Sequence, residues 1–272
     1  MDVLVLPNFL IVGAPRSGTT SLARYLGAHP QVFMAADKEV RFFGAGFDRG
    51  LEWYAKHFAG AGSQPRVGEA TPTYLADPQA RRRLAATLPE AKLIAILRDP
   101  VDRAYSQYWL ARSLGTEDRT FEAAIGVAGG ADATDRPLRR YLEQGRYVEQ
   151  LRDLCTLYPR DAVHVEIFED FVAAPAERFR TVCRFLEVDD TVVPDLVGAT
   201  VNRHVDHRSP SLHRAARELP RPIRRALGRL NARPATYPPM APATRAELRS
   251  RFEGPNGELA RWLGRDLSEW GR

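Results

Sequence analysis

Short runs of consecutive apolar residues alternate along the chain with stretches in which apolar positions recur every three or four residues. The run at 8–13 (NFLIVG) has the unbroken apolar character of a strand covered on both faces, and 21–26 follows a glycine-containing turn with helical spacing. The run at 92–97 (KLIAIL) meets Arg98-Asp99-Pro100 and then an amphipathic stretch over 101–112. Pro100 suits a first helical turn and Asp99 its cap. A third strand is predicted at 163–168 (VHVEIF) and a shorter fourth at 67–70, with helical patterns at about 49–58, 77–87, 136–158, 175–186 and 242–263. Segments 126–137 and 231–243, rich in Gly, Pro and Ala, are predicted as loops. Strands alternating with helices imply right-handed crossovers, hence an α/β fold with a doubly wound, mainly parallel central sheet flanked by helices.

The 272 residues suit one large domain spanning 1–272, since a chain of this size buries roughly three quarters of its unfolded surface. With 44% hydrophobic and 27% charged residues, and no apolar run near the roughly 18 residues that cross a bilayer, a soluble globular protein without a membrane span is expected. The first residues, MDVLVLPNFLIVGAPRSG, lack the basic region and small-residue cleavage site of a signal peptide. Cys155 and Cys183 have no CxxC spacing, so neither a disulfide framework nor a cysteine metal site is indicated, and a reducing cytoplasm fits best. Charge is uneven: the formal net charge is +5, yet 203–251 alone holds twelve arginines against three acids, which leaves the remainder net acidic. Residues 200–243 are therefore a candidate basic lid or loop region able to attract an anion. The block lacks the interleaved aromatics of a base-stacking surface, which argues against a nucleic-acid partner. Oligomeric state is left open.

The strongest chemical signal is Gly13-Ala14-Pro15-Arg16-Ser17-Gly18-Thr19-Thr20 between a predicted strand and helix. Such a loop turns successive backbone N–H groups inward beside the positive end of a helix, a P-loop-like cradle for phosphate. It departs from the Walker A pattern, because Thr19 stands where the lysine belongs and the cation lies earlier, at Arg16. A planar guanidinium fork suits a 5′-phosphosulfate, whereas a MgATP enzyme needs the lysine and an Mg²⁺-holding acid. The stretch PRSGTTSL resembles the 5′-phosphosulfate loop of sulfotransferases that use 3′-phosphoadenosine 5′-phosphosulfate (PAPS). That resemblance implies that Arg16, Ser17, Gly18, Thr19 and Thr20 contact the phosphosulfate.

PAPS carries a 3′-phosphate that ATP lacks, so a second anion pocket is required. Arg98 at the end of the 92–97 strand and Ser106, two helical turns beyond Asp99, can meet on one phosphate, by a charge-assisted fork and a hydroxyl hydrogen bond. The segment LRDPVDRAYSQYW resembles the family's 3′-phosphate element, with Arg98 and Ser106 on its contact positions. The alternative is a P-loop phosphotransferase or kinase using MgATP, with Asp99 as a Walker B acid.

In-line sulfuryl transfer also needs a base for the acceptor's proton and positive charge at the leaving oxygen. Alternation in Lys38-Glu39-Val40-Arg41-Phe42-Phe43 places Glu39 and Arg41 on one side of an extended segment. This run, with GLEWY at 50–54, GEATPTYL at 68–75 and the C-terminal LRSRFEGPNGELARWLGRDLSEW, resembles the branch containing heparan sulfate sulfotransferases and their bacterial relatives. The resemblance implies Glu39 as catalytic base, with Arg16 and Lys38 assisting the leaving group; Glu69 is the next candidate base. Ala70 stands where glycosaminoglycan enzymes often carry lysine, and their cysteine pair is absent, which argues against a glycosaminoglycan acceptor. The expected acceptor is a small molecule or carbohydrate bearing a hydroxyl or amine, with sugar, lipid, peptide and polyketide hydroxyls all left open. No metal is expected: His204, His207 and His213 lack a metal-ligand spacing, His29 reads as a helix stop and His57 as packing. Arg203 or Arg208 is placed by a loose resemblance near the 3′-phosphate.

Overall fold

The computed structural model describes residues 4–126, 141–199, 205–207, 232–234 and 237–271. They divide into two compact units, one within Met1–Arg98 and Tyr147–Val201, the other within Asp99–Arg146 and Asn202–Arg272.

The first unit is built on a five-stranded sheet of order β2-β3-β1-β4-β5, parallel at every pairing. Its strands are β1 (Phe9–Gly13), β2 (Val32–Met34), β3 (Arg66–Ala70), β4 (Lys92–Leu97) and β5 (Val163–Ile167). Helices α1 (Thr19–Gly27), α2 (Leu51–Ala55), α3 (Pro78–Thr87), α6 (Tyr147–Leu157), α7 (Phe168–Ala173) and α8 (Pro175–Leu186) accompany it. Parallel strands covered on both faces lose their alternation, and β1 and β4 accordingly bury every residue except Lys92 at the start of β4. Phe9, Ile11, Ile94 and Ile96 pack with Leu22 and Leu26 of α1 and with Phe179, Val182 and Leu186 of α8. Gly68 of β3 is required by this packing, since a Cβ there would lie 2.3 Å from the Phe9 ring.

The strand order sets the position of the site. From β1 the chain runs outward to β2, returns through β3 to the side of β1, and crosses to β4 on the other side. The loops leaving the carboxyl ends of β1 and β4 therefore diverge, and such a switch point leaves a crevice for a ligand.

The second unit contains α4 (Pro100–Ser113), α5 (Phe121–Ala124), α9 (Pro242–Leu263) and an antiparallel pair, β6 (Val205–His207) with β7 (Ala232–Pro234). Its core joins Val101, Tyr105 and Tyr108 of α4 to Phe121, Tyr141, Leu248 and Phe252. Asp99 caps α4 by accepting from the Val101 N–H at 2.8 Å, and Pro100 occupies the first turn, as its sequence position implies.

The four predicted strands and the doubly wound sheet are present. Among the described strands and α-helices, β2, α5, α7, β6 and β7 have no counterpart in the sequence pattern. The run at 163–168 ends as a strand at Ile167, and Phe168 opens α7. The helix expected over 136–158 begins, within the described residues, at Tyr147; 127–140 lie outside them. The loop expected over 231–243 is corrected at two places, because Ala232–Pro234 pairs with Val205–His207 and α9 already starts at Pro242. The rest of the 200–243 lid region lies largely outside the described residues, as do Arg203 and Arg208. Of the arginine block, Arg245 pairs with Asp102 at 2.9 Å and Arg251 with Glu247 at 2.9 Å.

Candidate active site

The chain leaves β1 at Gly13 and enters α1 at Thr19 through a loop in which Arg16 (φ 70) and Gly18 (φ 85) adopt left-handed conformations. Gly18 meets both demands of its position. It accepts a φ that L side chains avoid, and a Cβ would sit 3.1 Å from the Phe168 ring. Gly18 is the N-cap of α1 and no side chain caps the helix, whereas α3 and α4 each begin under an aspartate. The first N–H groups of α1 thus keep their donor capacity for an anion.

The loop also passes a test of fit to a phosphosulfate. Ser17 is fully buried and its Oγ has no hydrogen-bond partner among the described residues. An unsatisfied buried hydroxyl costs about 1–3 kcal/mol, a penalty that an anionic oxygen seated in the loop relieves. Thr19 is buried, while Arg16 and Thr20 are half-buried at the rim.

Arg98 follows β4 directly, and its Nη1 donates to the Arg16 carbonyl at 3.3 Å, which brings the two expected phosphate-binding arginines to the switch point together. Its guanidinium lies 5.0 Å from the centre of the Phe168 ring, and its own carbonyl accepts from the Tyr147 hydroxyl at 2.9 Å. Phe168 and Tyr147 escaped the sequence reading. The only signal for Phe168 was an aromatic residue closing an apolar run, at the carboxyl end where sheet ligands bind. Ser106 is buried in α4, in the second unit.

The segment 38–43 is not extended. Glu39 (φ 62) and Arg41 (φ 58) are both left-handed, a conformation costing on the order of 1–3 kcal/mol for a residue with a side chain. The expected division of faces is nonetheless kept, because Val40 and Phe42 are buried while Glu39 and Arg41 form an ion pair. Lys38 Nζ lies 3.7 Å from Glu39 on its other side. Burial lowers the Lys38 ammonium below its usual range against the pull of Glu39, and the charges of Arg16 and Arg41 push the same way. Arg16, Lys38 and Glu39 therefore belong to one electrostatic neighbourhood.

Thr20, Arg24, Met34, Lys38 and Ala70 line a cleft of about 290 Å³, walled otherwise by small residues. Of the histidines, His29 is buried with Nε2 2.9 Å from the Asp189 carbonyl, and His57 packs on Trp53 and lies 3.3 Å from Asp37. Among the described residues no group of three His, Cys, Asp or Glu could hold a metal, and no helix is long and apolar enough to cross a membrane.

A doubly wound parallel sheet with an uncapped glycine loop at its switch point defines the P-loop-like class of α/β proteins. Residues 6–211 match the Sulfotransferase domain family, and the chain belongs to that family. It is 46% identical over 119 residues to the membrane-associated sulfotransferase kil1 of Dictyostelium discoideum, a match covering 41% of this chain and 25% of that protein. It is 30% identical over 272 residues to the human bifunctional heparan sulfate N-deacetylase/N-sulfotransferase 2, covering 96% of this chain and 30% of the relative. The chain thus spans about a third or less of the length of these curated relatives. Among solved structures, a sulfotransferase from Alicyclobacillus acidocaldarius superposes with a TM-score of 0.75 at 27% identity, covering 98% of this chain and 100% of that one. The sulfotransferase domain from the curacin biosynthetic pathway shares the fold, at 16% identity and a TM-score of 0.51. Family membership sets aside the MgATP phosphotransferase.

Proposed function

We propose that the chain moves a sulfuryl group from PAPS to a hydroxyl or amine of a small-molecule or carbohydrate acceptor, releasing 3′-phosphoadenosine 5′-phosphate (PAP). The observation that carries this reading is the buried, unpartnered Ser17 hydroxyl in an uncapped loop whose cation is Arg16, with Arg98 bound to the same loop. PAPS, when bound, supplies an activated sulfuryl group on a phosphate leaving group.

The residues of the chain divide the work. Ser17, Gly18, Thr19 and Thr20 present the α1 N-terminus to the 5′-phosphosulfate, and Arg16 and Lys38 place positive charge where the leaving oxygen gains its electron pair. Arg98 takes the 3′-phosphate, to which the sequence motif also assigns Ser106. Glu39, held between Arg41 and Lys38, takes up the acceptor's proton as the new oxygen–sulfur or nitrogen–sulfur bond forms and the sulfur–oxygen bond to phosphate breaks. The acceptor enters by the cleft beside Thr20, Lys38 and Ala70, whose small walls suit a slim molecule better than a polyanion. No metal has a part in this scheme. Both cysteines are free, which supports a reducing, cytoplasmic setting.

Thermal unfolding with added nucleotide tests the donor. At a hundredfold excess over its dissociation constant, PAP stabilises by about 2.7 kcal/mol and raises the melting temperature by several degrees, and MgATP has little effect. Arg98→Ala abolishes the PAP shift. A larger shift with MgATP than with PAP overturns the reading.

A further inference from the structure

Glu69, near the carboxyl end of β3, has no exposed surface. Three hydroxyls converge on it: Tyr54 and Tyr74 each donate to Oε1 at 3.0 Å, and Thr71 donates to Oε2 at 2.7 Å. Two of these hydroxyls accept in turn from the backbone of the segment that carries Glu39. The Arg41 N–H donates to Thr71 Oγ1 at 3.2 Å, and the Phe43 N–H donates to the Tyr74 hydroxyl at 3.3 Å. The Glu39 N–H itself donates to the Ala70 carbonyl, next to Glu69 in the strand, at 3.1 Å. Three alternate amides, at 39, 41 and 43, are thereby tied to the end of β3, two of them through partners of a single carboxylate.

A carboxylate only accepts hydrogen bonds, so it draws the hydroxyl protons toward itself and turns the oxygen lone pairs of Thr71 and Tyr74 toward the amides of Arg41 and Phe43. This matters because Glu39 and Arg41 are left-handed, a backbone that persists only where its surroundings over-determine it. We propose that Glu69 is a positioning residue: through Thr71 and Tyr74 it fixes the backbone at Arg41 and Phe43 and so aims the Glu39 carboxylate at the transfer site. The proposal rests on Glu39 as the proton acceptor, and it removes Glu69 from that role, since a carboxyl without exposed surface cannot meet the acceptor. Burial pushes the Glu69 carboxyl up to about 7; Tyr54, Tyr74 and the nearby Glu39 charge are the titratable groups that face it.

The test compares Thr71→Val, Thr71→Ser and Glu69→Gln in the full chain. Hydrogen exchange of the peptide 38–44 is followed by mass spectrometry, PAP affinity by calorimetry, and PAPS cleavage with water as the acceptor for kcat and KM. Valine matches threonine in shape but lacks the hydroxyl. Thr71→Val should therefore speed exchange of 38–44 about tenfold, leave β1 and β4 unchanged, and lower kcat about tenfold at unchanged KM and PAP affinity. Thr71→Ser, which keeps the hydroxyl, should restore both, and Glu69→Gln should move in the direction of Thr71→Val. Wild-type exchange and kcat in Thr71→Val and Glu69→Gln overturn the proposal, as does a Thr71→Ser protein that behaves like Thr71→Val. A wild-type chain that does not bind PAP refutes the donor reading instead, and the exchange of 38–44 then decides the role of Glu69 by itself.

Discussion

Glu39 stands between two cations, Lys38 and Arg41, in a backbone conformation that neither its own residue type nor its neighbours suggest. Its proposed role predicts that Glu39→Gln loses about 10²–10⁴-fold in turnover while PAP affinity, read by calorimetry, stays at the wild-type value. Activity within a few-fold of wild type would remove it from the role. Ser17 predicts two effects of opposite sign. Ser17→Ala deletes a buried hydroxyl without a partner, so the ligand-free protein should melt at the same temperature or higher, while PAP binds more weakly, by about tenfold. At this scale the sequence disclosed residue types and spacing, since Arg16, Ser17, Arg98 and Glu39 stand on recognisable motifs. It did not disclose the hydroxyls around Glu69, which come from positions 54, 71 and 74 and converge only once α2 and β3 are folded. Nor did it disclose the left-handed pair, because neither residue is glycine or asparagine.

The elements that could be read in advance are those whose burial is uniform. β1 and β4 are unbroken apolar runs bounded by Gly13 and by Asp99-Pro100, and each folds as that pattern implies. β2 has three residues, too few for a period to register. The first residue of α7, Phe168, reads as part of β5 because no side chain caps the helix at Ile167, so hydrophobicity runs on across the boundary. The strand order was likewise out of reach, as it depends on which apolar edges meet. β5 is fastened to α8 by Glu166, fully buried and bonded to Arg178 Nε at 2.8 Å and to His164 at 2.9 Å. Burial alone would raise the Glu166 carboxyl, but the bonds from His164 and Arg178 prevail and lower it. Because the folded value lies below the unfolded one, its stabilisation is complete above the unfolded value and is lost as pH falls through the folded value. Glu166→Gln should therefore flatten the acid limb of the urea midpoint measured against pH.

For the whole molecule, Glu69 gives the opposite sign. Its folded value of about 7 exceeds the ordinary 4.5, so its contribution is complete below the unfolded value and is lost as pH rises through about 7. The difference corresponds to about 3 kcal/mol. The urea midpoint should fall on the alkaline side between about pH 5 and 8, and Glu69→Gln should abolish that fall; a wild-type midpoint flat across this range would contradict the burial argument. Among the described residues, Glu69 is thus the carboxyl whose burial costs stability in base, while Glu166 guards the acid side of the same unit.

The left-handed pair at 39 and 41 bears on how the protein would respond to selection in the laboratory. A library screened for heat resistance alone should enrich glycine or asparagine at these two positions, since either relieves the backbone at little steric cost. Survivors changed at position 39 would be sturdier scaffolds stripped of the proposed proton acceptor, and durability and turnover would then be traded one codon at a time.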